Sequence, residues 1–510
     1  MALARAFSVA LVGLHGSVVE VEADLAQGLP GLTMVGLPDA SVAEARDRVR
    51  AAVVNSGLPW PARRITVGLS PASLPKRGSA FDLAIAAAVL AADAEVPASA
   101  LAGTALLGEL GLDGAVRPVR GVLPAVLAAR DAGLERVVVP ASELAEAALV
   151  DGVRAHGVRR LADLVALLRG LPWDEPVPVP PEAAAPGPVP DLADVGGQVL
   201  GRTAVEVAAA GGHHLLLLGP PGSGKTMLAE RLPGLLPPLS REEALEVTAV
   251  HSVAGRLPPG SPLVRTPPFQ DPHHTASAAA VVGGGAGLAR PGAASLAHRG
   301  VLFLDEAPEF SRRVLDALRQ PLESGRLVLE RVGGTARYPA RFTLVLAANP
   351  CPCAKEPDLC TCSPQVRRTY LSRLSGPLLD RVDLHVVLTR ITRSELQADA
   401  DVEPTAVVAA RVAAARERAL ERYAGTPWRT NAEVPPVLLR RRWRLPRAVT
   451  ATADDQLDAG TLTARGYDRV LRVAWTLADL AGCERPGREQ VDMALGYRGL
   501  GPVAPARWAA

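Results

Sequence analysis

Apolar residues recur along the first third of the chain in two distinct patterns. Residues 18–21, 64–68 and 136–139 are β-rich runs that predict strands. Residues 40–54 and 80–92 are Ala-rich stretches that predict helices. Further on, strands and helices alternate. Leu215–Leu218, Val301–Leu304 and residues 343–346 are unbroken apolar runs ending at polar or glycine residues, as buried parallel strands do. Past residue 392 the chain turns Arg- and Ala-rich and helical. There Val470, Leu471, Val473, Ala474, Leu477 and Ala478 follow helical spacing. No repeat of about 20–50 residues is visible. Residues 172–190 hold eight prolines in nineteen. Proline fixes φ and removes an amide donor, so this segment predicts an extended linker.

Composition narrows the class. The chain has 510 residues, 48% of them hydrophobic and 21% charged, which suits a globular α/β protein of about three domains. The net charge is +2, so affinity for nucleic acid has to come from local patches. No stretch approaches the ~20 apolar residues that span a bilayer, so no membrane span is expected. Arg5 precedes an apolar run, but Gly13 and His15 interrupt it and no cleavage site stands out, so export is not expected. Four of the five cysteines lie within residues 351–362, unlike a secreted disulfide framework. A cytoplasmic protein is the consistent reading. Only three lysines occur, Lys76, Lys225 and Lys355, which draws attention to each.

One lysine completes a motif. Gly219, Pro220, Pro221, Gly222, Ser223, Gly224, Lys225 and Thr226 fit the P-loop pattern between an apolar strand and a helical run at 227–232. The glycines let backbone amides turn toward phosphate oxygens, and the helix start adds partial positive charge. Lys225 reaches the β- and γ-phosphates of ATP in such a site, and Thr226 holds Mg²⁺. The run ending in Asp305 and Glu306 is the Walker B pattern. Asp305 then positions the Mg²⁺ shell, and Glu306 orients or deprotonates the attacking water. Asn349, at the end of the next strand, suits the sensor 1 role, against a turn-forming Asn before Pro350. An arginine finger is expected as well. Chemistry alone leaves Arg381 and Arg373 both open.

These motifs, with Gly28-Leu-Pro-Gly, Gly78-Ser-Ala-Phe-Asp-Leu, Gly197-Gln198, Pro272-His-His-Thr-Ala-Ser277, Asn349-Pro-Cys-Pro-Cys353 and the segment from Leu371 to His385, carry a family likeness. The chain resembles the YifB/ComM group of magnesium-chelatase-like AAA+ ATPases over nearly its whole length. The resemblance implies a Lon-protease-like (S5-like) α+β domain at residues 1–171 and the linker at 172–190. It implies a P-loop AAA+ α/β core at 191–392, with Gly197 and Gln198 at the nucleotide, and a helical lid at 393–510. It implies Arg381 as the finger, Arg465 as sensor 2, and a homo-oligomeric ring, usually a hexamer. For the activity it implies a DNA helicase that drives branch migration in recombination or natural transformation.

A Lon-type protease needs a Ser–Lys dyad. Ser79 falls near the nucleophile position, but residues 118–125 contain no lysine. Arginine cannot replace it as a neutral base. Peptidase activity is therefore not expected. A chelatase motor subunit shares the core but not, on this reading, the linked first domain. Protein remodelling remains the alternative to DNA work. For DNA, residues 325–342 predict a β-hairpin with Gly333-Gly334 near its tip, carrying Arg326, Arg331, Arg337 and Arg341. In helicase-clade relatives such a hairpin enters the ring pore, where arginines bind phosphates without reading sequence. A solvated surface hairpin is the alternative. The arginines around Trp443 suit nucleic acid or a solvated helix face equally. Cys351, Cys353, Cys360 and Cys362 can supply four zinc ligands or be free thiols. Nothing in the residues decides the role of His273 and His274.

Overall fold

The computed structural model describes residues 2–36, 39–76, 78–178, 190–257, 263–285, 289–331, 334–355, 360–393 and 402–499. The first domain is built on a mixed sheet of seven strands. Their spatial order is Gly31–Val35, Arg64–Ser70, His15–Ala26, Ala2–Val12, Thr104–Leu106, Arg136–Pro140 and Arg154–Val158. Ala2–Val12 and His15–Ala26 form a long antiparallel hairpin through Gly13, whose φ of 67° opens the turn. Arg64–Ser70 buries every second residue, the half-buried alternation its sequence suggests. Helix Asp82–Ala92 is buried along its whole length, which is why its sequence is apolar all round and not striped. The linker segment lies outside the described residues over 179–189.

The second unit carries a parallel sheet of five strands, in the order Phe269–Gln270, Val301–Leu304, Thr343–Ala348, Leu215–Leu218, Leu384–Val387. Successive residues feed opposite faces. Leu215, Leu217, Phe303, Val345 and Ala347 pack toward helices Val199–Gly211 and Lys225–Leu235 and the C-terminal helices. Leu216, Leu302, Leu304, Leu344 and Leu346 pack toward the helices near residues 293–318. Burial on both faces explains the unbroken apolar runs. One consequence matters for chemistry. The strand ending in Asn349 lies between the P-loop strand and the Walker B strand, so all three carboxyl ends meet at one edge.

The C-terminal helices Thr405–Arg422, Ala464–Leu480 and Arg488–Gly496 share the core of the first of these faces. A buried polar knot ties them to the sheet. Asp383 pairs with Arg469 and accepts from the His214 amide at 3.1 Å, and His213 Nε2 meets Thr476 Oγ1 at 2.7 Å. Burial pushes the His214 and His385 imidazoles down to about 4, so both are neutral in the fold. The unfolded chain takes up protons on these rings below ~6.5 while the native state does not. Stability is therefore lost as pH falls from ~6.5 toward 4, by ~1–2 kcal/mol per ring at pH 5. Melting temperature measured from pH 7.5 to 5 should fall, and His385→Gln should flatten part of the slope.

The first domain also packs on the second. Glu146 Oε1 accepts from the Leu123 amide at 2.7 Å and from Ser252 Oγ at 2.5 Å, across the contact between helices Val122–Asp131 and Arg241–Ala254. Arg241 pairs with Asp151 at 2.8 Å. Leu14, in the first hairpin's turn, packs on Ala336 and Tyr338.

Candidate nucleotide site

Gly222 and Gly224 have φ values of 75° and 83°, a region that L side chains rarely adopt, and they turn the loop before helix Lys225–Leu235. A side chain on Gly219 would come within 2.7 Å of Ser223 Oγ and 2.8 Å of the Leu388 carbonyl. The loop thus closes tightly around an open cradle. Ser223 Oγ is buried there without a hydrogen-bond partner, a donor that suits a phosphate oxygen. Lys225 is 8% exposed, and its ammonium donates to the Gly219 and Pro220 carbonyls at 2.8 and 2.9 Å and to Asn349 Oδ1 at 3.2 Å. Burial lowers its pKa, and the nearby charges of Asp305 and Glu306 work against that. The structure therefore brings Lys225 and Asn349 into direct contact.

Thr226 Oγ1 donates to Asp305 Oδ2 at 2.9 Å. A hydroxyl and a carboxylate at this spacing are hard oxygen donors of the kind Mg²⁺ takes. Asp305 Oδ1 also accepts from the Glu306 amide at 2.8 Å. Glu306 itself sits at φ 49°, a left-handed conformation uncommon for a non-glycine residue. Its carboxylate meets a histidine, with His274 Nδ1 at 3.0 Å from Oε2. The His273 and His274 rings lie against each other, with centroids 4.1 Å apart. The histidine pair is thus part of the site, which sequence reasoning could not place. Gln198 is buried beside Gly224 and donates to the Thr389 carbonyl at 2.7 Å. Gly197, just before it, turns at φ 74°.

The two finger candidates separate. Arg373 donates to Glu309 Oε2 at 2.9 Å and to the Pro308 carbonyl at 3.2 Å, bracing the turn after Glu306. Arg381 instead pairs with Glu323 and the Pro377 carbonyl. Its pKa is lowered by burial and then by the charges of Arg319, Arg465 and Arg469. Arg465 is exposed at the start of helix Ala464–Leu480. Among the described contacts none joins Arg381 or Arg465 to the P-loop of the same chain.

The remaining candidates fall as follows. Arg326–Arg331 and Gly334–Pro339 form the expected hairpin, with residues 332–333 outside the described set. Arg326, Arg331, Arg337 and Arg341 are exposed, while Ala336 and Tyr338 are buried with Ala289 in a cluster on which Val253, Leu329 and the first domain's Leu14 pack. Trp443 packs edge-on against Tyr423, with ring centroids 4.9 Å apart, so its ring is engaged inside the chain. Lys76 donates to the Pro71 carbonyl, and Ser79 donates to Glu109, so the two make no dyad. The four sulfurs of Cys351, Cys353, Cys360 and Cys362 all lie within 4.8 Å of one another. Among the described residues no helix is long and apolar enough to cross a membrane.

Comparison with known proteins places this site in a family. A family model described as magnesium chelatase, subunit ChlI, matches residues 191–396. Models for subunit ChlI of Mg-chelatase and for its C-terminal part match 21–143 and 402–498. The ChlI description thus reaches into the first domain as well. An uncharacterized protein of Mycobacterium tuberculosis is 58% identical over 506 residues, covering 98% of this chain and 99% of its own. Competence protein ComM of Haemophilus influenzae is 42% identical over 510 residues, 98% of each chain. The magnesium-chelatase 38 kDa subunit of Rhodobacter capsulatus is 30% identical over 329 residues, 58% of this chain and 82% of its own. The chain belongs to the YifB/ComM family of magnesium-chelatase-like AAA+ proteins. Membership implies an ATPase that uses ATP and Mg²⁺.

Proposed function

We propose that this protein is a ring-forming AAA+ ATPase motor that acts on DNA in the cytoplasm, as a helicase or branch-migration factor in recombination or natural transformation. The nucleotide site carries the ATPase part. The loop amides, Ser223 and Lys225 hold the phosphates, with Gly197 and Gln198 at the border of the cradle. Thr226 and Asp305 hold Mg²⁺, which draws charge from the phosphoryl oxygens. Glu306 orients the water and takes its proton, and Asn349 contacts the γ-phosphate. Arg381 and Arg465, gathered away from their own P-loop, serve the nucleotide of a neighbouring subunit in a hexamer. The first domain, read as a Lon-protease-like fold over residues 1–171, serves as a scaffold. The lid spans 393–510.

The observation that carries the DNA part is the hairpin, with Arg326 and Arg337 exposed on one face, Arg331 exposed at the far end of the first strand and Arg341 exposed just beyond the second, while Ala336 and Tyr338 pack on the other face. The name of the ComM relative, a competence protein, supports the same direction. Single-stranded or forked DNA should stimulate ATP hydrolysis. Replacing Arg331 and Arg337 with Ala should weaken DNA binding and make the slope of log affinity against log salt shallower by ~1.4 for single strands. A protein remodeller would hydrolyse ATP at a rate indifferent to DNA, and that result would move the assignment to the alternative.

A further inference from the structure

Four thiols meet where the Asn349 strand ends. Cys351 lies two residues beyond Asn349 and is buried. Its sulfur is 3.0 Å from that of Cys353 and 3.4 Å from that of Cys360, and the last two are 3.5 Å apart. The Cys362 sulfur belongs to the same group, all four lying within 4.8 Å of one another. Four sulfurs at ~2.3 Å from a central zinc form a tetrahedron with edges of ~3.8 Å. The three shortest spacings, 3.0, 3.4 and 3.5 Å, fall just under that value, so a small expansion of the cluster admits the ion. None of the four is in a disulfide. Thiolates crowded this closely repel one another, and a dication at their centre removes the conflict. Soft sulfur ligands in a tetrahedron select zinc over hard cations.

We propose that Cys351, Cys353, Cys360 and Cys362 bind one zinc ion, and that this ion positions Asn349 by clasping its strand to the helix that ends near Arg373. The connections run outward from the sulfurs. On one side, Cys351 continues the strand whose Asn349 meets Lys225. On the other, Arg367 Nε donates to the Cys362 carbonyl at 3.1 Å, and Ser363 caps helix Pro364–Leu371. Past that helix Arg373 grips Glu309, three residues beyond Glu306. The Walker B strand then pairs with the Asn349 strand, which closes the circuit. Ser223 and the loop amides stand outside this circuit, and Lys225 and Thr226 touch it only through Asn349 and Asp305. The zinc therefore governs the placement of Asn349 and the Glu306 turn more than the grip on ATP. The binding of zinc is independent of the ATPase reading, while its kinetic effect rests on it.

The test starts with full-length protein purified under reducing conditions without chelator. Metal analysis should give about one zinc per chain. Cys360→Ser and Cys362→Ser should each lose most of it, and cobalt exchanged into wild type should show the absorption of a tetrahedral thiolate site. Removing zinc from wild type should lower kcat roughly ten- to hundredfold, the cost of a small misplacement, and leave ATP affinity within about threefold. Added zinc should restore the rate. No zinc, iron with sulfide, or oxidised disulfides at these positions would overturn the site. Zinc present, with ATP affinity and kcat falling together on its removal, would overturn the positioning role. Zinc-replete protein that never hydrolyses ATP would count against the ATPase reading and leave the metal site standing.

Discussion

Glu306→Gln should bind ATP as well as the wild type and hydrolyse it ~10²–10⁴-fold more slowly. Glutamine keeps the shape of the side chain and cannot accept the proton of the attacking water. Substrate binding draws on other groups, namely the loop amides, Ser223 and Lys225, and Lys225 is held by the Gly219 and Pro220 carbonyls and not by Glu306. Lys225→Ala should do the opposite and abolish ATP binding, because the ammonium meets phosphate already in the ground state. Its present partners, two loop carbonyls and Asn349, are neutral, so a phosphate is the stronger attraction. Nucleotide-binding titrations beside single-turnover rates separate the two effects. Equal ATP affinity of Lys225→Ala and wild type would remove Lys225 from the site.

The second large effect concerns the subunit boundary. Arg381→Ala should lower hydrolysis by ~10³–10⁵, the worth of an arginine finger in P-loop enzymes. Arg381 is gathered with Arg319, Arg465 and Arg469, and that concentration of positive charge fits an anion brought by another subunit. Its pairing with Glu323 must open when that anion arrives. Mixing Arg381→Ala with Lys225→Ala subunits should then recover activity, since one mixed boundary joins an intact Lys225 to an intact Arg381. Glu306→Gln with ATP and Mg²⁺ should form hexamers, because ligand that bridges subunits favours the assembled state. Mixtures that co-assemble without regaining hydrolysis, or a monomer by light scattering in every nucleotide state, would defeat the shared site.

Much of the nucleotide site was legible because its chemistry is local. The P-loop and Walker B residues are contiguous in sequence, and both flanking strands announce themselves as unbroken apolar runs. Leu215–Leu218 and Val301–Leu304 form where the pattern puts them. Helix Asp82–Ala92 was also legible, though its all-round burial hid which face meets the core. What stayed hidden depends on distant partners. Nothing about His274 signals that it will reach Glu306, since the contact exists only after strand Phe269–Gln270 pairs beside Val301–Leu304. The knot of Asp383, His213, His214 and Arg469 likewise joins three segments far apart in sequence. The separation of Arg373 from Arg381 was out of reach for the same reason. The chemistry of the residue type leaves both open, and in the fold their partners, Glu309 and Glu323, distinguish them.

The contact of Leu14 with Ala336 and Tyr338 bears on how such a machine transmits force. A hairpin that swings alone moves two short strands. This one has the turn of the first domain's long hairpin resting against it, at Gly13 and Leu14, so on the proposed motor reading a stroke at the arginines would either carry that whole domain along or break the contact each cycle. In the first case the first domain would be a lever arm whose displacement reports the stroke. In the second it would be a brake, released once per nucleotide turned over.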